Sequence, residues 1–162
     1  MKNKPRLTFI IDSREQNPYS FTRAHRRDVV FAGSRREGLS EGDYAVECGD
    51  EILPVRIERK SISDLFGVVG KGRDRFEREL DRLSWMTSYL LIEATAEQVR
   101  HGYERSLVSG EAALGSVLHW SIQYSIAPIF AGNWMMGNRI TQGLLEDYSL
   151  HYTSEALTCQ NE

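Results

Sequence analysis

A nearly unbroken apolar run at residues 7–11 predicts a short central strand covered on both faces. Residues 13–40 lack such a pattern and read as a long loop, with one short strand near 28–31. Residues 43–47 and 52–60 are rich in β-branched and aliphatic side chains and predict a hairpin turning at Gly49 and Asp50. Pro54 is tolerable near a strand entry or on an edge. Ser61 and Ser63 offer capping oxygens for a short helix over about 64–69, which Gly70 and Gly72 interrupt. Phe76, Leu80 and Leu83 then recur at helical spacing, predicting a longer helix over 73–85. Residues 89–92 form a second buried strand, Thr95 caps a short helix through Val99, and a helix follows over 111–124. Residues 126–130, split by Pro128, make an edge strand, and 133–148 the last helix. This order of elements is that of an α/β domain.

At 162 residues the chain is one domain by length, able to bury about two-thirds of its unfolded surface. No apolar run approaches the ~18 residues of a membrane span, and Met1 to Lys4 lead into a strand, not a signal segment. No membrane association is expected. Two cysteines, Cys48 and Cys159, give neither a disulfide framework nor metal-ligand spacing, which fits a reducing, cytoplasmic setting. The four histidines are too scattered for a zinc site.

The net charge of −3 argues against indiscriminate nucleic-acid binding, but the charge is unevenly spread. Residues 1–40 hold nine Lys and Arg against four Asp and Glu, whereas residues 83–162 hold three against eight. In the basic third, Arg14, Arg23, Arg26, Arg27, Arg35 and Arg36 alternate with Tyr19, Phe21 and Phe31. That composition suits phosphate pairing and base stacking, with a solvated loop as the plain alternative. Lys71 and Arg73 stand at a helix start, where amides and cations together hold phosphate. Arg75, Arg78 and Arg82 read as a solvated helix face.

The densest chemistry lies between Leu39 and Asp64. On the strand ending at Lys60, alternation puts Arg56, Glu58 and Lys60 on one face and Val55, Ile57 and Arg59 on the other. The hairpin would bring Asp43 beside Glu58. Two carboxylates at sheet ends, with a lysine alongside, can hold a hard divalent cation and an attacking water at a phosphate. Taken singly, a Glu-Arg-Lys triplet is a solvated strand end and Gly-Asp a turn.

Their order carries more. Gly42-Asp43, a strand, then Glu58-Arg59-Lys60 and Asp64 resembles the signature of the XPF-type nuclease domain of structure-specific DNA endonucleases. Ile10-Ile11-Asp12-Ser13-Arg14-Glu15 and Tyr89-Leu90-Leu91-Ile92-Glu93 match two further blocks of that family, so the resemblance covers roughly residues 7–130. It implies a restriction-endonuclease-like core, a small mixed β-sheet flanked by helices. It further implies a metal-dependent endonuclease acting at branched or flap DNA in repair or recombination. Asp43 and Glu58 would bind Mg²⁺ or Mn²⁺. Lys60 would orient or deprotonate the water, or stabilise the pentavalent phosphate. Asp12 and Glu15 would complete the acidic cluster, as direct ligands (Asp12 first), as groups supporting the ligands or as a second metal site. Arg14 would contact phosphate, and Arg59 and Asp64 would orient the others. A non-catalytic DNA-binding or scaffold subunit of a paired nuclease, and a junction-resolving or sequence-specific nuclease of the same fold, are the competing readings.

The domain is expected to occupy 1–152, with 153–162 a tail and no helix-hairpin-helix module, so an accessory protein is a candidate source of DNA affinity. A homodimer is expected as well. The helix over 111–124 is apolar on two adjacent lines (Ala113, Val117, Trp120 and Tyr124; Leu114 and Leu118), with Ile122 on a further side. The last helix adds Trp134, Met135, Met136, Ile140, Leu144, Leu145 and Tyr148. Helices apolar over so much of their circumference bury a second side.

Overall fold

Strand β1 (Arg6–Asp12) is central, as its apolar run requires. It pairs in parallel with β2 (Val30–Glu37) and antiparallel with β3 (Tyr44–Cys48). After Gly49 come β4 (Glu51–Ile52), β5 (Val55–Lys60), α1 (Ile62–Val69) and α2 (Arg73–Leu83). Then follow β6 (Thr87–Ile92), α3 (Ala96–His101), α4 (Gly110–Gln123), β7 (Ala127–Phe130) and α5 (Trp134–Cys159). The computed structural model describes residues 4–159 and joins the strands in one mixed sheet, ordered β2-β1-β3-β5-β6-β7 with β4 on β3. β5, β6 and β7 run parallel.

The two faces of the sheet are covered differently. Phe9, Tyr44, Val46, Ile57 and Leu91 meet Leu145 of α5 and the rings of Tyr19 and Phe21 from the loop after β1. On the other face Leu90 and Ile92 pack under α1, α2 and α4, through Leu65, Phe66, Phe76, Leu80, Val117 and Trp120. Over β1 and β3 that second face carries only a small cluster of Ile10, Leu39 and Ala45.

Three elements differ from expectation. The strand expected near 28–31 is β2, eight residues long and half-exposed on the sheet edge. Its Ser-Arg-Arg-Glu end shows no apolar alternation because ion pairs, not core packing, hold that end. Second, the expected hairpin strand over 52–60 breaks at Leu53 and Pro54. Only β4 follows the turn on β3, and β5 rejoins β3 at the single pair Tyr44 and Ile57. Third, the last helix runs beyond 148 to Cys159, into the expected tail.

The loop over 13–29, with no regular structure to stabilise it, is fastened to α5. Glu146 is fully buried, and its carboxylate accepts the backbone N–H groups of His25 (2.9 Å) and Arg26 (2.7 Å). Gln142 Nε2 donates to the same carboxylate at 2.7 Å and to the Arg23 carbonyl. At Gly137 a Cβ would stand 2.2 Å from the Tyr19 hydroxyl, so only glycine lets that ring lie on the helix.

Candidate active site

The place where β3 and β5 part is where the chemistry collects. Beyond Tyr44 and Ile57 the ladder continues by a substitution. The Asp43 N–H donates to the Ile57 carbonyl (2.8 Å), and Asp43 Oδ2 accepts the Arg59 N–H (2.7 Å) where a backbone carbonyl would stand. That bond holds Asp43 beside Glu58. Gly42 makes the approach possible: its φ is +73°, and a Cβ would lie 3.1 Å from Arg56 Cβ and 3.3 Å from the Ile57 carbonyl. The Asp12 N–H donates to the Asp43 carbonyl (2.8 Å), bringing the end of β1 to the same point.

Glu58 is 2% exposed. One of its oxygens takes the Lys60 ammonium in a short ion pair, and the other, Oε2, is buried with no hydrogen-bond partner among the described residues. Lys60 Nζ stands over the Phe76 ring, 4.7 Å from its centroid. Burial pushes the Asp43 carboxyl up to about 6, against the pull of Lys60 and the Arg59 N–H and with added push from Glu15 and Glu79. Burial raises Glu58 as well; Lys60 opposes this, while Asp43 and Glu79 reinforce it. For Lys60 burial works against the ammonium, yet Glu58 and Asp43 outweigh it and its pKa rises. Acid and base are thus all drawn toward their protonated forms. The cluster lacks positive charge.

Hard carboxylate oxygens, one of them orphaned and buried, fit a divalent cation such as Mg²⁺ or Mn²⁺. Among the described residues no three His, Cys, Asp or Glu side chains are grouped to hold a metal unaided. Mg²⁺ commonly takes one or two carboxylates and completes its shell with water and phosphate, so a pair such as Asp43 and Glu58 matches its usual protein ligand number.

The other expected residues divide. Asp12 spends both oxygens elsewhere: Oδ1 accepts from Arg14 N and Nε (2.8 Å each), and Oδ2 from Arg14 Nη2 (2.9 Å) and Leu39 N (2.8 Å). The Arg14 pair holds its carboxyl below the usual range. The expected grouping of Asp12 with Asp43 and Glu58 as a three-ligand set is therefore not formed. Glu15 lines the same cleft but is held in an ion pair, Arg59 bridging it (2.9 Å) to Glu93 (2.7 Å). The Tyr19 hydroxyl donates to the same Glu93, and Arg59 lies 5.2 Å from the Tyr19 ring centroid. Asp64 closes a capping box with Ser61 at the start of α1 while lining the cleft.

A family model described as the ERCC4 domain matches residues 11–144. The chain belongs to the ERCC4 domain family. Its fold is similar to that of XPF from Aeropyrum pernix, at 17% identity and a TM-score of 0.60 over 94% of this chain and 70% of that one. It is also similar to XPF from Aeropyrum pernix in complex with DNA, at 18% identity and a TM-score of 0.61. The chain spans 66% of that second structure's length. No curated protein matches it. The family expected from the sequence is thereby the one found, and the expected small mixed β-sheet flanked by helices is the fold observed. No described helix is long and apolar enough to cross a membrane.

In this ERCC4 domain several cations of the basic third have internal partners. Arg26 pairs with Asp147, Arg35 with Glu37 and Glu47, and Arg36 donates to the carbonyls of Ser13 and Glu15. Arg73 is held by Glu77 (3.0 Å), the Ser116 hydroxyl (2.9 Å) and the Trp120 ring. Arg27 and Lys71 are exposed. Two residues were not expected here: Glu79 and Arg75 of α2, the latter read as solvated, both line the cleft of about 450 Å³ that holds Asp43, Glu58 and Lys60. Glu79 falls three positions after Phe76, on the margin of the apolar stripe, which marks its direction but not its role.

Proposed function

We propose that this chain hydrolyses DNA phosphodiester bonds with Mg²⁺ or Mn²⁺ held by Asp43 and Glu58. The observation that carries the reading is the buried, unpartnered Oε2 of Glu58, set beside Asp43 and against Lys60 in an open cleft. When bound, the cation withdraws charge from the phosphate and acidifies a water. Lys60 keeps its proton in this surrounding, so among its open roles charge stabilisation and orientation are favoured over general base. Asp12 acts at one remove, holding Arg14 at the mouth, where the mostly exposed guanidinium meets the phosphate backbone. Arg59 positions Asp43 through its backbone N–H.

The test is a panel of labelled DNAs of shared sequence, a flap, a four-way junction and a linear duplex, each with Mg²⁺, Mn²⁺ or EDTA. Cation-dependent cleavage at the branch is expected. Equal cutting of the linear duplex would remove the structural preference, and binding without cutting would indicate the scaffold reading. Lys60→Ala is expected to lower the rate by about 10²–10³, as loss of one preorganised charge-stabilising group does. A loss below about threefold would make Lys60 structural on that scale.

The active form is a homodimer on this reading. Ile122 (82% exposed) and Leu118 of α4, one turn apart, and Met135 and Met136 of α5 stay open to solvent. Trp120, by contrast, is fully buried and donates to Glu77 (2.9 Å), so it belongs to the core and not to a subunit contact. Light scattering is expected to report twice 18.5 kDa, and Ile122→Glu to yield a folded monomer. A monomeric unsubstituted chain with full activity would exclude the dimer.

A further inference from the structure

Six of the residues lining the cleft carry carboxylates, and five of them are engaged. Asp12 is held by Arg14, Glu15 by Arg59, Asp43 by the Arg59 N–H, Glu58 by Lys60 and Asp64 by Ser61. The sixth, Glu79, makes no hydrogen bond or ion pair among the described residues. It comes from α2, on the other wall of the cleft from β5. Phe76, Leu80 and Leu83 of that helix turn into the core, while Arg75 and Glu79, one turn apart, line the cleft. The Phe76 ring lies against Lys60 Nζ, which sets this stretch of α2 beside the end of β5.

The charge of Glu79 reaches four groups. It helps to raise the carboxyls of Asp43 and Glu58, and it favours the cationic forms of Lys60 and Arg14. Those groups stand on the turn after β1, the turn before β3 and the end of β5, so Glu79 faces the middle of the cleft. A solvated helix side chain is free to turn away from two like charges. Glu79 is instead half-buried among them, and the nearby cations bond other partners, Lys60 to Glu58 and Arg14 to Asp12. The fold gains no bond from this carboxylate. What it presents to the cleft is an acceptor with both oxygens open.

Hydrolysis of a phosphodiester needs an acceptor for the water's proton as its oxygen closes on phosphorus. The Lys60 ammonium is committed to Glu58, and on the reading above Asp43 and Glu58 hold the cation. We propose that Glu79 is the general base, accepting a hydrogen bond from the attacking water and then its proton. As the water's oxygen bonds to phosphorus, the bond from phosphorus to one deoxyribose oxygen breaks. That oxygen leaves with the bonding pair and takes a proton from solvent. The assignment rests on the nuclease reading and adds a catalytic residue to it.

The test is single-turnover cleavage, with Mg²⁺, of whichever DNA the parent cuts best among the flap, the four-way junction and the linear duplex. Two readouts without turnover accompany it: anisotropy of the same DNA in EDTA, and the Mg²⁺-dependent rise in melting temperature of the protein alone. Glu79→Gln keeps the side chain's volume and removes no bond, so it is expected to melt as the parent does and to bind DNA at least as well. Its cleavage rate at saturating DNA is expected to fall about 10²–10⁴-fold, the usual contribution of a positioned base. Its response to Mg²⁺ should remain that of the parent. Glu79→Ala leaves room for a small carboxylate, so added formate is expected to restore part of its rate and to leave the parent's unchanged. A rate loss below about threefold, or a Glu79→Ala protein indifferent to formate, overturns the assignment. Loss of the Mg²⁺ response in Glu79→Gln overturns it too, and makes Glu79 a cation ligand instead. Cleavage by the parent that Glu79→Gln matches leaves the nuclease reading standing and removes the base. No cleavage of any of the three DNAs by the parent overturns both.

Discussion

Asp43→Asn and Glu58→Gln are each expected to reduce cation-dependent cleavage to background while DNA binding survives. Both replacements keep the local geometry. An asparagine side-chain carbonyl at position 43 still accepts the Arg59 N–H, and a glutamine at position 58 occupies the same buried volume. What they remove is the negative charge that would hold the cation on the proposed reading. Unneutralised, those carboxylates repel phosphate, so binding without metal should hold or improve. Asp43→Asn carries a second signature in stability. A carboxyl raised from 3.8 to about 6 on folding makes the native chain bind the proton more tightly than the unfolded chain. Stability of the cation-free protein is therefore greatest below pH 4 for this group and falls as pH rises from about 4 to 6. The Asp43→Asn protein lacks that decline. Its melting temperature should match the parent near the acid end and exceed it at neutral pH, with Mg²⁺ narrowing the gap. Undiminished cleavage by either variant would end the metal assignment.

Arg59→Ala is expected to lower stability by about 3–5 kcal/mol, the cost of leaving buried charges without their partner. The guanidinium is 11% exposed and joins Glu15 and Glu93, themselves 11% and 9% exposed, under the Tyr19 ring. Three elements meet in that network: the turn after β1, the end of β5 and the end of β6. In a domain of this size the loss corresponds to a melting temperature about 10–15 °C lower. Replacing Arg59 and Glu93 together by leucine should recover part of it, because well-packed apolar groups often match a buried ion pair. A melting temperature within a degree or two of the parent for Arg59→Ala would show that the network contributes little.

Much of the site is legible in the sequence because its parts lie close along the chain. Gly42, Asp43, Glu58, Arg59 and Lys60 fall within one short stretch, and strand alternation separates Glu58 and Lys60 from Arg59 as observed. Long-range pairing is not legible in this way. Arg35 meets Glu47 across β1, and Arg26 meets Asp147 on α5, so neither cation is as free as its neighbours in sequence suggest. By position the carboxylate of Asp12 resembles a ligand, but Arg14, two residues on, folds back over it. β2 is longer than its composition suggests because alternation in apolar character is absent from an edge strand held by ion pairs. The end of β5 is readable, but its start is not, since Pro54 breaks a run whose composition is uniformly that of a strand.

The carboxylate of Glu146 receives the amides of His25 and Arg26 from 121 and 120 residues away. On a ribosome adding about 5–20 residues per second, the loop is made on the order of ten seconds before its clamp. Asp43, Glu58 and Lys60 are made in that interval too, while the turn at Glu15 and the ring of Tyr19 still have no helix to lie against. Final assembly of the cleft thus waits on the last helix, and the order of synthesis leaves the cleft incomplete until most of this sequence has been translated.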